Sequence, residues 1–412
     1  MYAFNNQLMQ HLVVFKLRQF PTVSETFIVN AITATIDAGF DVRILVNRVN
    51  PPDNASQPQL IAQYKLMDKV DSLSDQPTDK KIRYKAFFKM LLNPLKTFFF
   101  LRLSVVLKKL TMDYVFWFQK LDALRKSQMF HVHFSTMEYP LLALKKIGYL
   151  KAPLMVTFHG YDAYALPSGI QLKSMLSDYK KFVKHITVNS NFLKQILINK
   201  GFKDSQINIV PMGVNSKLFD RDGRTDLPPQ EPFKLITIGR LVPYKGQDYG
   251  IRIVKELIDK GMNVKYTIVG NGTQLEALKA LIIKLELQDN VQLIGSVKQK
   301  EVIELLKEHH IFLMTSTVDN TGRREPFGLV AVECQALGLP IIGFDSGGFP
   351  ETMKDNYTGF LVEDQNIKAA VDKVEAFIKD RQLLETFSKN AKKHVRENFE
   401  LEKTNALYIK NY

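Results

Sequence analysis

Leu235-Ile236-Thr237-Ile238-Gly239-Arg240-Leu241-Val242-Pro243-Tyr244-Lys245-Gly246 decides the fold class. A short apolar run closed by glycine reads as a strand buried on both faces. The loop after it carries two cations, and Gln247 to about Lys260 reads as a helix. Strand, loop and helix repeated along a chain imply a parallel sheet with right-handed crossovers. Ligands of such open sheets bind beyond the carboxyl ends of the strands, which is where Arg240 and Lys245 fall. A planar guanidinium and a mobile ammonium together suit a diphosphate, whose charge grows as a sugar–phosphate bond breaks. Their loop position predicts that replacing either spares folding.

A second stretch, Arg323-Arg324-Glu325-Pro326-Phe327-Gly328-Leu329-Val330-Ala331-Val332-Glu333, sets two carboxylates eight residues apart. Pro326 suits the first turn of a helix, and Leu329 to Leu337 reads as an apolar helix stopped by Gly338 and Pro340. This predicts Glu325 in the approach loop and Glu333 about two turns into the helix. The amides of Phe327, Gly328 and Leu329 then face the space between the carboxylates. A helix start favours phosphate, and the flanking carboxylates accept hydrogen bonds from hydroxyls, so the group described is a nucleotide-sugar. A solvated helix face is the plainer reading of a Glu pair taken alone. A glycosidase also sets two carboxylates about a sugar bond, but it has no diphosphate to neutralise.

Taken together, Gly239-Arg240…Lys245-Gly246, Glu325-x₇-Glu333 and Ser346-Gly347-Gly348-Phe349-Pro350-Glu351 resemble the donor site of family-4 retaining glycosyltransferases. Order and spacing agree over roughly 233 to 395. The resemblance implies the α/β GT-B fold, two Rossmann-like doubly wound parallel-sheet domains facing a cleft. It places Arg240 and Lys245 on the leaving diphosphate, Glu325 on donor-sugar hydroxyls and Glu333 on the ribose. Amides from Phe327 to Leu329 would cradle phosphate, with Gly347 and Gly348 giving close backbone approach, and Gly239 would also bind the donor. The implied reaction is retaining, front-face transfer of a hexosyl unit from a UDP- or GDP-linked sugar to a glycan or lipid-linked acceptor. No cofactor is expected, and the two cations replace a metal. The alternative is a non-catalytic nucleotide-sugar-binding subunit of a polysaccharide assembly.

The first half alternates in the same way, with strands expected at His11–Leu17, Asp41–Val46, Phe130–Phe134, Leu154–Phe158 and His185–Asn189. In the second half strands are expected near 234–238, 264–269, 291–294, 311–314, 340–344 and 360–362, then helix from Ala370 to Phe399. The implied division is an acceptor-side domain at 1–215, a linker at 216–232, a nucleotide-sugar domain at 233–395 and a helix crossing back at 396–412. Thr157-Phe158-His159-Gly160-Tyr161-Asp162 follows a strand at the ligand-binding edge, which makes His159 a catalytic candidate and Asp162 its orienting or acceptor-binding neighbour. The loop Pro21-Thr22-Val23-Ser24-Glu25-Thr26-Phe27 stands where many family members carry a diglycine loop, and its form resembles the exopolysaccharide, colanic-acid-type branch. Ser24 and Thr26 are acceptor-side candidates, and Thr22 with Glu25 reads as a capping box. His131 and His133 alternate on one strand face with no evident third metal ligand. Asp220-Arg221-Asp222 has the spacing of a metal-binding Asp-x-Asp but lies in the linker.

The chain has 412 residues, a formal charge of +14 and one cysteine, Cys334, without a disulfide partner. That cysteine count suits a reducing cytosol. Met1 to Gln7 lack the basic start and apolar run of a secretory signal. No run of apolar residues is long enough to span a bilayer. Much of the positive charge is local: Lys80 to Lys126 holds twelve Lys/Arg against Asp113 and Asp122, interleaved with aromatics. Ordinary amphipathic helices, a nucleic-acid patch and an anionic lipid surface are the three readings. No nucleic-acid motif accompanies the charge, so nucleic acid ranks last. The expectation is a cytoplasmic protein, peripheral at the inner face of the plasma membrane.

Overall fold

The computed structural model describes residues 11–22, 25–55, 57–220 and 232–412. Ser24, Met1 to Gln7 and the Arg221-Asp222 part of the Asp-x-Asp spacing lie outside the described residues. The chain divides into two compact units. Unit 1 comprises residues up to Val188, Lys194–Val210 and Asn405–Tyr412, and unit 2 comprises Asn189–Leu193 and Pro211–Thr404.

Unit 1 is built on β1 (Leu12–Phe20), β2 (Asp41–Val49), β3 (Val70–Ser72), β4 (Met129–His133), β5 (Leu154–Phe158), β6 (Val183–Val188) and β7 (Ile207–Ile209). They form one sheet in the order β3-β2-β1-β4-β5-β6-β7. All its pairings are parallel, with Val13 opposite Val42 on one side and Met129 on the other. The three-residue edge strands β3 and β7 escape the sequence reading because so short a run carries no usable period. The helix after β1 runs Thr26–Asp37 and buries Ile28, Val29 and Ile32. The expected capping box does not form: the helix starts at Thr26, three residues beyond the start that a Thr22 N-cap implies, and Glu25 caps it without a side-chain bond. Instead the Thr22 hydroxyl donates to the Glu25 carboxylate at 3.1 Å.

Unit 2 contains β8 (Phe233–Ile238), β9 (Val264–Val269), β10 (Val291–Gly295), β11 (Ile311–Met314), β12 (Ile341–Phe344) and β13 (Gly359–Val362). The order is β10-β9-β8-β11-β12-β13, again parallel throughout. Each sheet therefore reverses its strand order once, between β1 and β4 in unit 1 and between β8 and β11 in unit 2. Helix Gln247–Asp259 buries Ile251, Val254 and Leu257 on one face, and these join Leu235, Tyr266 and Ile268 in a core cluster.

Two helical expectations are corrected. The segment expected as one helix from Ala370 to Phe399 is Ile367–Lys379 followed by Arg381–Asn398. Asp380 is extended there and its carboxylate accepts from the Leu383 amide at 2.9 Å, so a strong N-cap residue restarts the helix. The helix after Glu325 runs Leu329–Ala336 with Gly328 as N-cap at φ 88°. Pro326 therefore sits in the loop rather than at the first helical position, and Glu333 lies about one turn inside, not two.

Candidate functional site

The site in unit 2 grows from the switch point between β8 and β11, where the chain leaves the two strands on opposite sides and their following loops diverge. The loops are tied together: the Thr317 amide, beyond β11, donates to the Tyr244 carbonyl, beyond β8, at 2.8 Å. Lys245 is brought directly onto Glu325, and the two form a tight ion pair with side chains only 14% and 9% exposed. An ammonium and a carboxylate so shielded from water hold each other strongly, and removing one strands the other.

Arg240 does not join that pair. Its Nη2 donates to the Tyr244 hydroxyl at 2.9 Å, and Gln247 Nε2 donates to the Arg240 carbonyl at 3.0 Å. Tyr244 is the organiser that the sequence reading missed. Its ring also lies 5.8 Å from Lys245 Nζ and 5.2 Å from the Arg323 guanidinium. One buried aromatic thus gathers three cations by a hydrogen bond and two cation–π contacts. The available signal was its place beside Lys245 within the basic loop. Arg324 also contributes, donating to Ser346 Oγ at 2.7 Å and to Asp364 Oδ2 at 3.1 Å.

Gly347 and Gly348 fit closely, and what they approach is the chain itself. Gly347 adopts φ +72°, and a Cβ there would meet the Glu325 carbonyl at 2.2 Å. A Cβ on Gly348 would meet the Pro326 carbonyl at 2.0 Å, while the Gly348 amide donates to Glu325 O at 2.7 Å. The diglycine therefore fixes the backbone that presents Glu325. Ser190 Oγ donates to Pro326 O at 2.6 Å and completes the clamp. Phe327 is buried in the core. Gly328 and Leu329 head a helix that has no side-chain cap. Gly239 follows β8 with the Lys245 side chain 3.7 Å from where its Cβ would be. Burial raises the Glu333 carboxyl to about 7.

In unit 1 His159 follows β5 and packs at a tilt against Phe27 and Phe134, with ring centroids 4.7 and 4.6 Å away. Its Nε2 meets His133 Nδ1 at 3.0 Å, while its Nδ1 is buried without a partner among the described residues. Burial lowers its pKa to about 3, so the imidazole is neutral near pH 7. Asp162 orients the loop and not the ring: its oxygens accept from the amides of Ser135, His159 and Gly160 at 2.8–3.1 Å. Thr26 begins the helix whose next residue, Phe27, covers His159. His131 and His133 are fully buried, and His131 bonds Tyr412 Oη at 2.8 Å and Thr157 Oγ1 at 2.7 Å. Among the described residues no cluster of His, Cys, Asp or Glu has metal-binding form. A separate cavity of about 710 Å³ in unit 1 is lined by Asn47, Arg83, Asp113, Trp117 and Tyr139 and by none of the predicted site residues.

Two parallel sheets of Rossmann strand order, one with a cation–carboxylate pair and clamped loops at its switch point, define the GT-B class. Residues 24–218 match the family described as "Glycosyltransferase Family 4", and residues 220–394 match "Glycosyl transferases group 1". The chain belongs to the family-4 glycosyltransferases. It is 28% identical over 371 residues to the amylovoran biosynthesis glycosyltransferase AmsK of Erwinia amylovora, spanning 87% of this chain and 88% of that protein. It is 26% identical to the putative colanic acid biosynthesis glycosyltransferase WcaL of Escherichia coli, spanning 94% and 96%. The crystal structure of Anabaena HepE in complex with UDP superposes with a TM-score of 0.69 at 17% identity, over 97% of this chain and 98% of that one. At that identity the likeness is one of fold.

Proposed function

We propose that the protein is a retaining glycosyltransferase of exopolysaccharide synthesis, moving a hexosyl unit from a UDP- or GDP-linked sugar to a glycan or lipid-linked acceptor. The observation that carries this reading is the buried Lys245–Glu325 pair at the β8/β11 switch point. Without donor, the carboxylate neutralises the ammonium. With donor, the diphosphate takes over part of that role, and Glu325 turns its acceptor oxygens to the sugar hydroxyls. Arg240, steered by Tyr244, adds the second positive charge to the departing diphosphate. The amides of Phe327, Gly328 and Leu329 serve a phosphate at the helix head, and Glu333 serves the ribose. On unit 1, His159 offers a neutral imidazole to a substrate hydroxyl. The leaving phosphate accepts the acceptor hydroxyl's proton on the face from which it departs, so the anomeric configuration is kept. The names of the two long relatives support the assignment to exopolysaccharide synthesis.

The test is turnover of nucleotide-sugars, selected by thermal shift, in the presence of chelator. Release of UDP or GDP that depends on acceptor, with an α-linked product from an α-linked donor by proton NMR, is the expected outcome. Binding without release would reduce the protein to a nucleotide-sugar-binding subunit. A β-linked product would overturn retention, and loss of turnover in chelator would overturn metal independence.

A further inference from the structure

The helices Lys80–Leu91 and Pro94–Leu107 are folded but hardly buried. The first buries Met90, and the second buries Phe100 and Leu103. The second, PLKTFFFLRLSVVL, carries apolar residues on every face, interrupted only by Lys96, Thr97, Arg102 and Ser104. A helix of that kind belongs in a protein interior or in lipid. Here Leu95, Leu101 and Val105 are 55%, 56% and 77% exposed, Phe88 on the first helix is 62% exposed, and Leu92 at the bend is 85% exposed. Eleven of the eighteen large hydrophobic residues exposed among the described residues fall between Ile82 and Leu110. Isolated exposed apolar residues need no explanation, but a concentrated patch marks a partner.

The charge on the same segment identifies that partner. From Lys80 to Met112 there are nine Lys/Arg and no Asp or Glu. Two of the nine are engaged inward, Arg83 with Asp113 and Lys96 with Asp122. The remaining seven, which include Lys81, Lys85, Lys89 and Lys108, are exposed. Neither helix alone is long and apolar enough to cross a membrane, and the two are bent by 112°. Apolar side chains at a bend, framed by cations with no acidic residue among them, match an anionic lipid leaflet entered from one side.

We infer that the elbow formed by these two helices is a monotopic anchor that seats in an anionic bilayer, with Leu92 at its deepest point. The apolar side chains enter the acyl boundary, and the exposed lysines contact phosphate headgroups. This rests on the elbow's own composition and exposure, and it stands whether or not the transferase reading holds.

Flotation of the full chain with phosphatidylcholine vesicles containing about one-third phosphatidylglycerol tests it. Binding to these vesicles, absent with phosphatidylcholine alone and lost near 0.5 M salt, is the expected result. Lys81→Ser with Lys85→Ser should weaken partitioning about 30-fold, at about fivefold per lysine. Leu92→Ser, Leu95→Ser and Val105→Ser together should weaken it at least about tenfold, with the thermal unfolding curve unchanged because all three are exposed. Cys334 is fully buried, so Leu92→Cys accepts an environment-sensitive fluorophore selectively, and its emission should shift to the blue only with anionic vesicles. Binding that ignores lipid charge, no binding, or an unshifted label on bound protein each overturns the inference. A blue shift without lipid, accompanied by a concentration-dependent mass, would assign the elbow to a second copy of the chain.

Discussion

At the scale of single residues, the Lys245–Glu325 pair makes an asymmetric claim. Glu325→Gln removes the partner that occupies Lys245, so UDP or GDP should bind about 3–10-fold more tightly by calorimetry, while turnover falls because the sugar hydroxyls lose a charged acceptor. A pair with only a structural role would show no gain in nucleotide affinity. Lys245→Ala should cost about 2–4 kcal/mol of transition-state stabilisation. It should also cost about 3 kcal/mol of folding stability, since it strands a buried carboxylate. The expectation that a loop position spares folding is thus replaced: position in a loop does not decide burial. Arg240, which is exposed, should show the kinetic loss with little change in stability. Glu333 gives a second residue-level outcome. Its carboxyl sits near pKa 7 through desolvation, and hydroxyls donating to it would favour the ionised form. Nucleotide binding near pH 7 should therefore release a proton, measured by calorimetry in buffers of different ionisation enthalpy. Glu333→Gln should abolish the release, and proton uptake would remove Glu333 from the ribose.

At the scale of elements, the strands and the loops after them were legible because apolar runs, glycines and cations occur there in order. Ile311–Met314 and Leu154–Phe158 show the expected bounds. What was not legible depends on partners distant in sequence. Glu325 and Lys245 are eighty positions apart, and Tyr244 is an ordinary tyrosine until three cations surround it. The diglycine was visible as a motif, but its contact with the Glu325–Pro326 backbone is a property of packing. The β4 strand is a further case: His131 and His133 read as an alternating pair, and the fold adds His159 to the stack through a 3.0 Å contact. Burial holds all three imidazoles below the ordinary value of 6.5. Above pH 6.5 they are neutral in both folded and unfolded chains, so their contribution to stability is complete there. As pH falls below 6.5 the unfolded chain takes up protons that the folded unit refuses, and stability is lost down to about pH 3, where His159 titrates. Unit 1 should accordingly unfold in acid before unit 2, seen as early hydrogen exchange in β4 and β5. A triple His→Gln variant that retains the native fold should lose that pH dependence, and an unchanged acid profile would contradict the assignment.

At the scale of the whole molecule, unit 1 is assembled from separate stretches of chain. Asn405–Tyr412 belongs to it, although most of unit 2 intervenes in sequence. The attachment is specific: Tyr412 Oη bonds His131 at 2.8 Å, Gln128 Nε2 donates to the Tyr412 carbonyl at 2.8 Å, and Asn405 Nδ2 reaches the Asn30 carbonyl at 3.3 Å. Tyr408 and Tyr412 join the core beside Phe15, Val13 and Ile32. Deleting 405–412 should destabilise unit 1 by about 3–5 kcal/mol, the scale of losing a large buried aromatic. Hydrogen exchange should accelerate in β1 and β4 and stay unchanged in β8 and β11. Equal acceleration in both units would show that the segment does not belong to unit 1 alone. The same arrangement sets an order of events during synthesis. A ribosome that has finished β7 must still make about 190 residues of unit 2 before it supplies the tyrosines that cover His131. At roughly 5–20 residues per second, the face of β1 and β4 stays uncovered for roughly 10–40 s. For that interval the nascent chain carries an apolar, histidine-lined surface with its own cover not yet translated, and a chaperone or the growing chain itself has to shield it.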